Sequence, residues 1–458
     1  MKTNIRLIMA GAILASAAGL QAQNTNSGYF LDGYNYRYQM NPAFGNQMDF
    51  VSIPAIGNIN MAMRGNLHLT DIFHVVDGKT VLFTNPAVSS SFLGDLHSVN
   101  KLGGDMKINL LSGGFKMWGG YNTVSINARA DVHAGIPRTF FELAKEGLSN
   151  RTYDIRDLSA SAMGYAEIAF NHSRDIKQVP GLRAGAAVKF LIGIANFEAK
   201  FREADLTLGE DAWTATTNAD IYANLGKLQY ETKTNHEGRE YVSGINMDGD
   251  GSIGANGFGM SFDLGASYKW RDFNFSLGLL DMGWISYFDT KHASTNGRRT
   301  FSSSEYIFNA NENVGNSFEK EWDRLSDDLG ELYQLSDNGN TGTRNVGLAT
   351  TLNVGVDYTL PYYRRLHFGL LSSSRFAGDF TWTEVRISAN VNPVDCFSAD
   401  ANVAFGTYGT SFGWLLNFNH RWFNIFLGMD HTLGKLSKEG IPLNSNASVN
   451  FGISIPFN

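Results

Sequence analysis

The last twelve residues of the chain alternate without a break. Ala447, Val449, Phe451, Ile453, Ile455 and Phe457 are apolar, while Ser448, Asn450, Gly452, Ser454, Pro456 and Asn458 are polar, small or proline. Period two marks a strand with one apolar face and one polar face. The pattern recurs. Val124, Ile126, Ala128, Ala130 and Val132 alternate with Ser125, Asn127, Arg129, Asp131 and His133. Val385, Ile387, Ala389 and Val391 alternate with Glu384, Arg386, Ser388 and Asn390. Segments of about ten residues can cross a bilayer at a tilt. Mean hydropathy is −0.19, and no stretch of about 18 apolar residues follows the N-terminal region, which excludes a helical membrane protein. A barrel is allowed, because half of each strand faces a polar lumen.

Fourteen such crossings are expected, at about 51–66, 104–117, 120–134, 157–172, 181–208, 257–270, 272–288, 346–360, 365–376, 380–391, 396–407, 411–420, 422–432 and 446–457. Short connections lie near Trp118-Gly119, 173–180, Arg271, 361–364, 392–395 and Arg421. Long ones are 67–103, 135–156, 209–256 and 289–345, with a shorter one at 433–445. Short turns face the periplasm in such barrels and long loops face outside, so both termini belong on the periplasmic side. Tyr121, Tyr268, Trp270, Trp284, Tyr287, Tyr358, Tyr362, Tyr363, Trp382 and Trp422 fall near the expected strand ends, where interfacial girdles belong. The fold class is therefore an all-β, transmembrane antiparallel barrel.

Compartment follows from the N-terminus. Lys2 and Arg6 precede a short apolar stretch from Leu7 to Leu20, and Leu20-Gln21-Ala22 forms a cleavage site. Residues 1–22 thus read as a secretory signal peptide, 23–47 as an N-terminal segment and 48–458 as the barrel. The location expected is a bacterial outer membrane. The terminal strand, with its penultimate Phe457, resembles the signal that barrel-assembly machinery recognises. Net charge is −7, falling to about −9 without Lys2 and Arg6, so nucleic acid is not a partner. One cysteine, Cys396, excludes a disulfide framework.

No catalytic set emerges. Gly409-Thr410-Ser411-Phe412-Gly413 matches a nucleophile-elbow string but is flanked by two alternating strands, so it reads as a hairpin tip. Gly249 to Gly254 matches a dinucleotide fingerprint without the strand-then-helix context. Asn246, Asp248, Asp250 and Ser252 resemble the first half of a calcium-binding loop. Gly257 stands where the bidentate Glu is needed, leaving a weak calcium site or an ion-free Asp/Gly turn as readings; no other cofactor is expected. Helices are expected from Pro137 to near Gly147 and along the stripe Phe318, Trp322, Leu325, Leu329 and Leu332. Lys107, Arg129, Asp131, Arg183, Lys189, Asp357, Glu384, Arg386, Asp400 and Asp430 occupy inward positions. They read as mutual ion pairs or as the lining of a polar conduit.

Residues 24–47 contain Gly28-Tyr29-Phe30 and then Asn41-Pro42-Ala43-Phe44. An Asn-Pro-Ala run ahead of a fourteen-stranded barrel resembles the FadL-type family of long-chain fatty acid and hydrocarbon transporters. The stretch Leu279-Leu280-Asp281-Met282-Gly283-Trp284 is similar to the Bacteroidota branch of such barrels, which includes type IX secretion barrels and many uncharacterised members. The resemblance implies a hatch folded into the lumen, anchored by Asn41-Pro42-Ala43, with Phe30, Met40 and Phe44 facing an apolar ligand. It implies uptake of a small hydrophobic molecule. The alternative is a surface scaffold or secretion-associated barrel that binds envelope proteins through its long loops.

Overall fold

The computed structural model describes residues 26–46, 48–146, 151–208, 212–225, 228–234, 240–247, 254–302, 335–431 and 446–457. The proposed signal peptide, the 318–332 stripe and the 433–445 connection lie outside them.

In chain order, β1 (Asp49–Ser52) and β2 (Ile59–Gly65) together make the first stave of the wall. Ile53 to Asn58 interrupt it, with Pro54 lacking an N–H and Ala55 at φ +64°. Helix α1 (Leu69–Ile72) and the hairpin β3 (Phe73–Val76) and β4 (Lys79–Leu82) stand in the first loop. Next come β5 (Val99–Met117), β6 (Gly120–Pro137), helix α2 (Arg138–Glu146), β7 (Thr152–Asp154), β8 (Ser159–Asp175) and β9 (Leu182–Leu208). The strands β10 (Ala212–Leu225), β11 (Leu228–Thr234) and β12 (Glu240–Met247) precede β13 (Gly257–Trp270) and β14 (Phe273–Tyr287). After β15 (Lys291–Ser302), β16 (Ser336–Asn340) and β17 (Arg344–Gly347) run the last staves. These are β18 (Thr350–Thr359), β19 (Leu366–Phe376), β20 (Trp382–Val394), β21 (Phe397–Gly406), β22 (Gly409–His420), β23 (Phe423–Met429) and β24 (Ala447–Phe457).

The staves run antiparallel, neighbour to neighbour, and β24 closes the circle on β1 and β2, with Phe50 opposite Pro456 and Asn60 opposite Asn450. Closure leaves no strand edge in lipid, where an unpaired backbone group costs several kcal/mol. The result is a fourteen-strand antiparallel barrel. Alternation sets its two faces. Ile387 is 56% exposed on the outside while its neighbour Arg386 is 2% exposed in the lumen. Val124, Val354, Val385, Phe451 and Ile455 share the outer face. An apolar outer belt around a polar interior makes the chain an outer-membrane barrel.

Three features differ from the expectation. First, the long connections 209–256 and 289–345 are partly strand rather than loop. β9 is 27 residues long, roughly 90 Å at strand rise, whereas a crossing takes about ten. Its distal half pairs with β10, and β10 pairs with β15, so the sheet continues past the bilayer. Second, β5 begins at Val99 and not near 104. Third, Tyr121, Tyr287 and Trp382 are buried in the lumen, not set in an interfacial girdle. Tyr121 donates to the Met48 carbonyl and Arg64 lies over the Trp382 ring. Tyr268, Trp270, Trp284, Tyr362, Tyr363 and Trp422 do face outward.

A charge on the outer belt has no partner in lipid. Ile453→Arg is expected to cost about 2–4 kcal/mol, read as a shifted urea midpoint for folding into lipid vesicles. An unchanged midpoint would place this face elsewhere.

Candidate functional site: the occupied lumen

Residues 26–46 lie inside the barrel, and the wall has room for them because several lumen positions carry no side chain. A Cβ at Gly185 would sit 2.2 Å from the Pro42 carbonyl oxygen, one at Gly265 would sit 2.1 Å from Asn41 Oδ1, and one at Gly369 would meet the Phe30 ring at 2.3 Å. Asn41 is held at its tip. Its Nδ2 donates to the carbonyls of Ala266 at 3.2 Å and Leu277 at 3.1 Å, and its Oδ1 accepts from the Ala43 N–H at 2.9 Å. That last bond folds the side chain onto its own backbone two residues on, a turn that Asn favours before proline. Wall side chains bind the backbone in return. Asn353 donates to the Met40 carbonyl, Asn171 to that of Pro42 and Arg183 to that of Ala43.

The segment's apolar residues form one cluster. Tyr29, Phe30, Leu31, Tyr34, Tyr36, Tyr38, Met40 and Phe44 are all buried, and they pack against Phe50, Leu371, Leu415 and Phe426 of the wall. Tyr29 meets Phe30 and Phe44 edge-on, with centroids 4.9 and 5.2 Å away. Arg37 stacks over Phe44 at 4.4 Å and pairs with Asp32. Phe30, Met40 and Phe44 therefore pack against protein in this state.

Above this segment the lumen is crossed by charge. Lys107, Arg129 and Lys189 meet Glu167, Asp263 and Asp281. Arg129 grips Asp281 with two nitrogens at 2.9 and 3.1 Å, and Lys189 lies 2.6 Å from both Asp263 and Asp281. Arg375 on β19 reaches across to Asp131 on β6 at 2.6 Å and Asp105 on β5 at 3.2 Å. Arg386 pairs with Glu384 at 2.9 Å, and Asp430 stands 3.8 Å from Arg64. This layer also holds the N-terminal segment. Asp430 accepts the backbone N–H groups of Asn26 at 2.8 Å and Ser27 at 2.7 Å, and the Asn26 amide donates to Glu384 at 2.9 Å. Buried charges persist only when paired and hydrogen-bonded.

Alternation placed Lys107, Arg129, Asp131, Lys189, Asp357, Glu384, Arg386, Asp400 and Asp430 inward, and the structure has them there, with Arg183 at the periplasmic end. It missed Asp281. Ser276, Gly278 and Leu280 face the lumen in even register, but Ile285 and Tyr287 face it in odd register. The phase slips at a bulge opposite Asp263, where Asp281 adopts φ +59°. A non-glycine residue there is uncommon, and its carboxylate is turned into the charge cluster. Asn246 lies on β12, but its side chain and the whole of Asp248, Asp250 and Ser252 lie outside the described residues.

The mouth carries a cavity of about 780 Å³, within the range of small-ligand sites. The β19–β20 tip, residues 377–381, folds into it. Phe380 packs on His133 at 4.8 Å, Lys200 pairs with Asp379 at 2.7 Å, and Lys101 donates to the Asp379 carbonyl. The tip thus reaches the opposite wall.

Residues 42–430 match the model of a family of unknown function, DUF5723. The chain belongs to this family. No curated protein matches it. Among solved structures, a TodX deltaS2S3 mutant, named a monoaromatic hydrocarbon channel, matches at 8% identity with a TM-score of 0.44, covering 96% of each chain. The Pseudomonas putida toluene transporter TodX matches at 11% and 0.40, covering 93% of this chain and 94% of that one. A Pseudomonas aeruginosa FadL homologue matches at 8% and 0.36, covering 96% and 99%. Scores this low carry no argument about what a DUF5723 barrel takes up.

Two outcomes test this geometry. Arg129→Met leaves Glu167 and Asp281 only their lysine partners and is expected to cost about 3 kcal/mol, read as a lower denaturant midpoint at unchanged slope. In a Cys396→Ser background, Ala43→Cys is expected to resist an impermeant thiol reagent added outside cells. Adding Gly185→Val should expose it; unchanged labelling would contradict the close packing at Pro42.

Proposed function

We propose that this barrel admits a small hydrophobic molecule from outside, with residues 26–46 as the movable hatch. One observation carries the reading. In a lumen lined by Asn, Ser and paired charges, the apolar surface is concentrated on the N-terminal segment, seated against glycines of the wall. A hatch shifted off those glycines opens a gap with its own aromatic rings on one side and Phe50, Leu371, Leu415 and Phe426 of the wall on the other. The cavity at the mouth offers a first resting place, with Phe380 and Tyr408 beside it. Asp430 and Glu384 of the charge layer hold Asn26 and Ser27, so a ligand that disturbs that layer also loosens the hatch.

A scaffold role is the second reading. It is favoured by the cross-lumen pair of Arg375 with Asp105 and Asp131, and by the sheet of β9, β10 and β15 standing beyond the bilayer. Such a sheet offers envelope proteins a rigid surface.

The deciding measurement is naphthalene and sucrose entry into vesicles with a lipopolysaccharide outer leaflet, which apolar molecules cross slowly. The wild-type barrel is expected to speed naphthalene and hold back sucrose, and deletion of residues 28–44 to pass both. If the wild type passes naphthalene no faster than protein-free vesicles of the same composition, the uptake reading fails and the scaffold stands.

A further inference from the structure

The charge of the periplasmic rim runs against that of the whole chain. The protein carries −7 overall, yet three successive turns, 176–181, 271–272 and 360–365, gather Arg174, Lys177, Lys269, Arg271, Arg364 and Arg365. Asp175 and Asp272 oppose them within those turns and the strand ends that flank them, and Asp395 of the next turn lies 2.9 Å from Arg365. The turns are neighbours in space as well as in order. β8 pairs with β9, β9 with β13, β13 with β14, β14 with β18 and β18 with β19. They therefore form one continuous arc over about half of the circumference. All six cations are exposed. Arg364 is 3.3 Å from Asp272 but keeps 72% of its side chain in contact with solvent.

Aromatic and apolar side chains lie directly beside this charge. Trp270 is 48% exposed and carries Arg271 at 5.1 Å from its ring, and Tyr362 is 97% exposed. Farther up the same two strands, Leu264 and Leu277 are half exposed on the lipid face. Reading from the rim inward, the arc presents cations, then interfacial rings, then hydrocarbon. That is the sequence of layers in a phospholipid leaflet.

We infer that this arc binds anionic glycerophospholipid of the periplasmic leaflet, its phosphates on Lys177, Arg271 and Arg364 and its acyl chains along β13 and β14. Guanidinium groups suit phosphate, which they grip with paired N–H donors. Each cation near an anionic surface adds a few-fold in affinity, and the contributions multiply. An acidic soluble protein would satisfy the charge but not the apolar strip, which lies at membrane depth. The inference is independent of what crosses the lumen.

The test titrates full-length protein in neutral detergent with cardiolipin or with phosphatidylethanolamine, and reads bound lipid by native mass spectrometry. Wild type is expected to retain cardiolipin in preference. Lys177→Gln alone should weaken it roughly fivefold, and the triple variant Lys177→Gln, Arg271→Gln, Arg364→Gln by on the order of a hundredfold. Arg421→Gln, on the opposite arc, should leave it unchanged. Equal retention of both lipids by wild type would overturn the inference, as would a preference that survives in the triple variant. So would equal loss in the Arg421 variant. Salt-sensitive capture of an acidic periplasmic protein without lipid preference would assign the arc to that protein instead.

Discussion

A fourteen-strand barrel encloses more space than its own wall can fill. Eight strands leave an interior that side chains close, and sixteen or more leave an aqueous channel. Between those limits something must occupy the lumen, or the barrel stands open. Here the space is divided. The periplasmic part is taken by residues 26–46 and the part above it by ion pairs that span the opening. The rest of the architecture follows from that division. Glycines face the N-terminal segment because a backbone has to pass close to the wall, and long charged side chains stand where no backbone passes.

The two fillings behave differently. The aromatic cluster is held by contact area and by hydrogen bonds to the wall. The ion pairs are set by strands on opposite sides, and parting Arg375 from Asp105 and Asp131 would leave its buried guanidinium without either carboxylate. The second filling braces the wall across the lumen. The two fillings meet where Asp430 and Glu384 hold Asn26 and Ser27.

How much of this could be read beforehand varies by residue. The crossing at 380–391 was legible because Val385 and Ile387 alternate with Glu384 and Arg386, and a bilayer tolerates only one assignment of the two faces. Helix α2 was legible from Pro137 and the apolar spacing after it. Trp382, Tyr121 and Tyr287 misled, because nearness to a strand end does not say which face a ring takes. The strands β10 and β15 were hidden for a related reason: beyond the bilayer both faces of a sheet are wet, and the alternation fades.

The amino-acid sequence by itself determined the class, the number of crossings and the direction in which the barrel sits. Those depend on period-two hydropathy and on connection lengths, both properties of neighbouring residues. Only the tertiary structure decided the partners. Asp281 reaches Arg129 because a bulge slips the register of β14, and Arg375 reaches Asp131 because closing the sheet brings β19 face to face with β6. Those contacts join residues more than a hundred positions apart. No local pattern encodes them; the circumference of a closed sheet does.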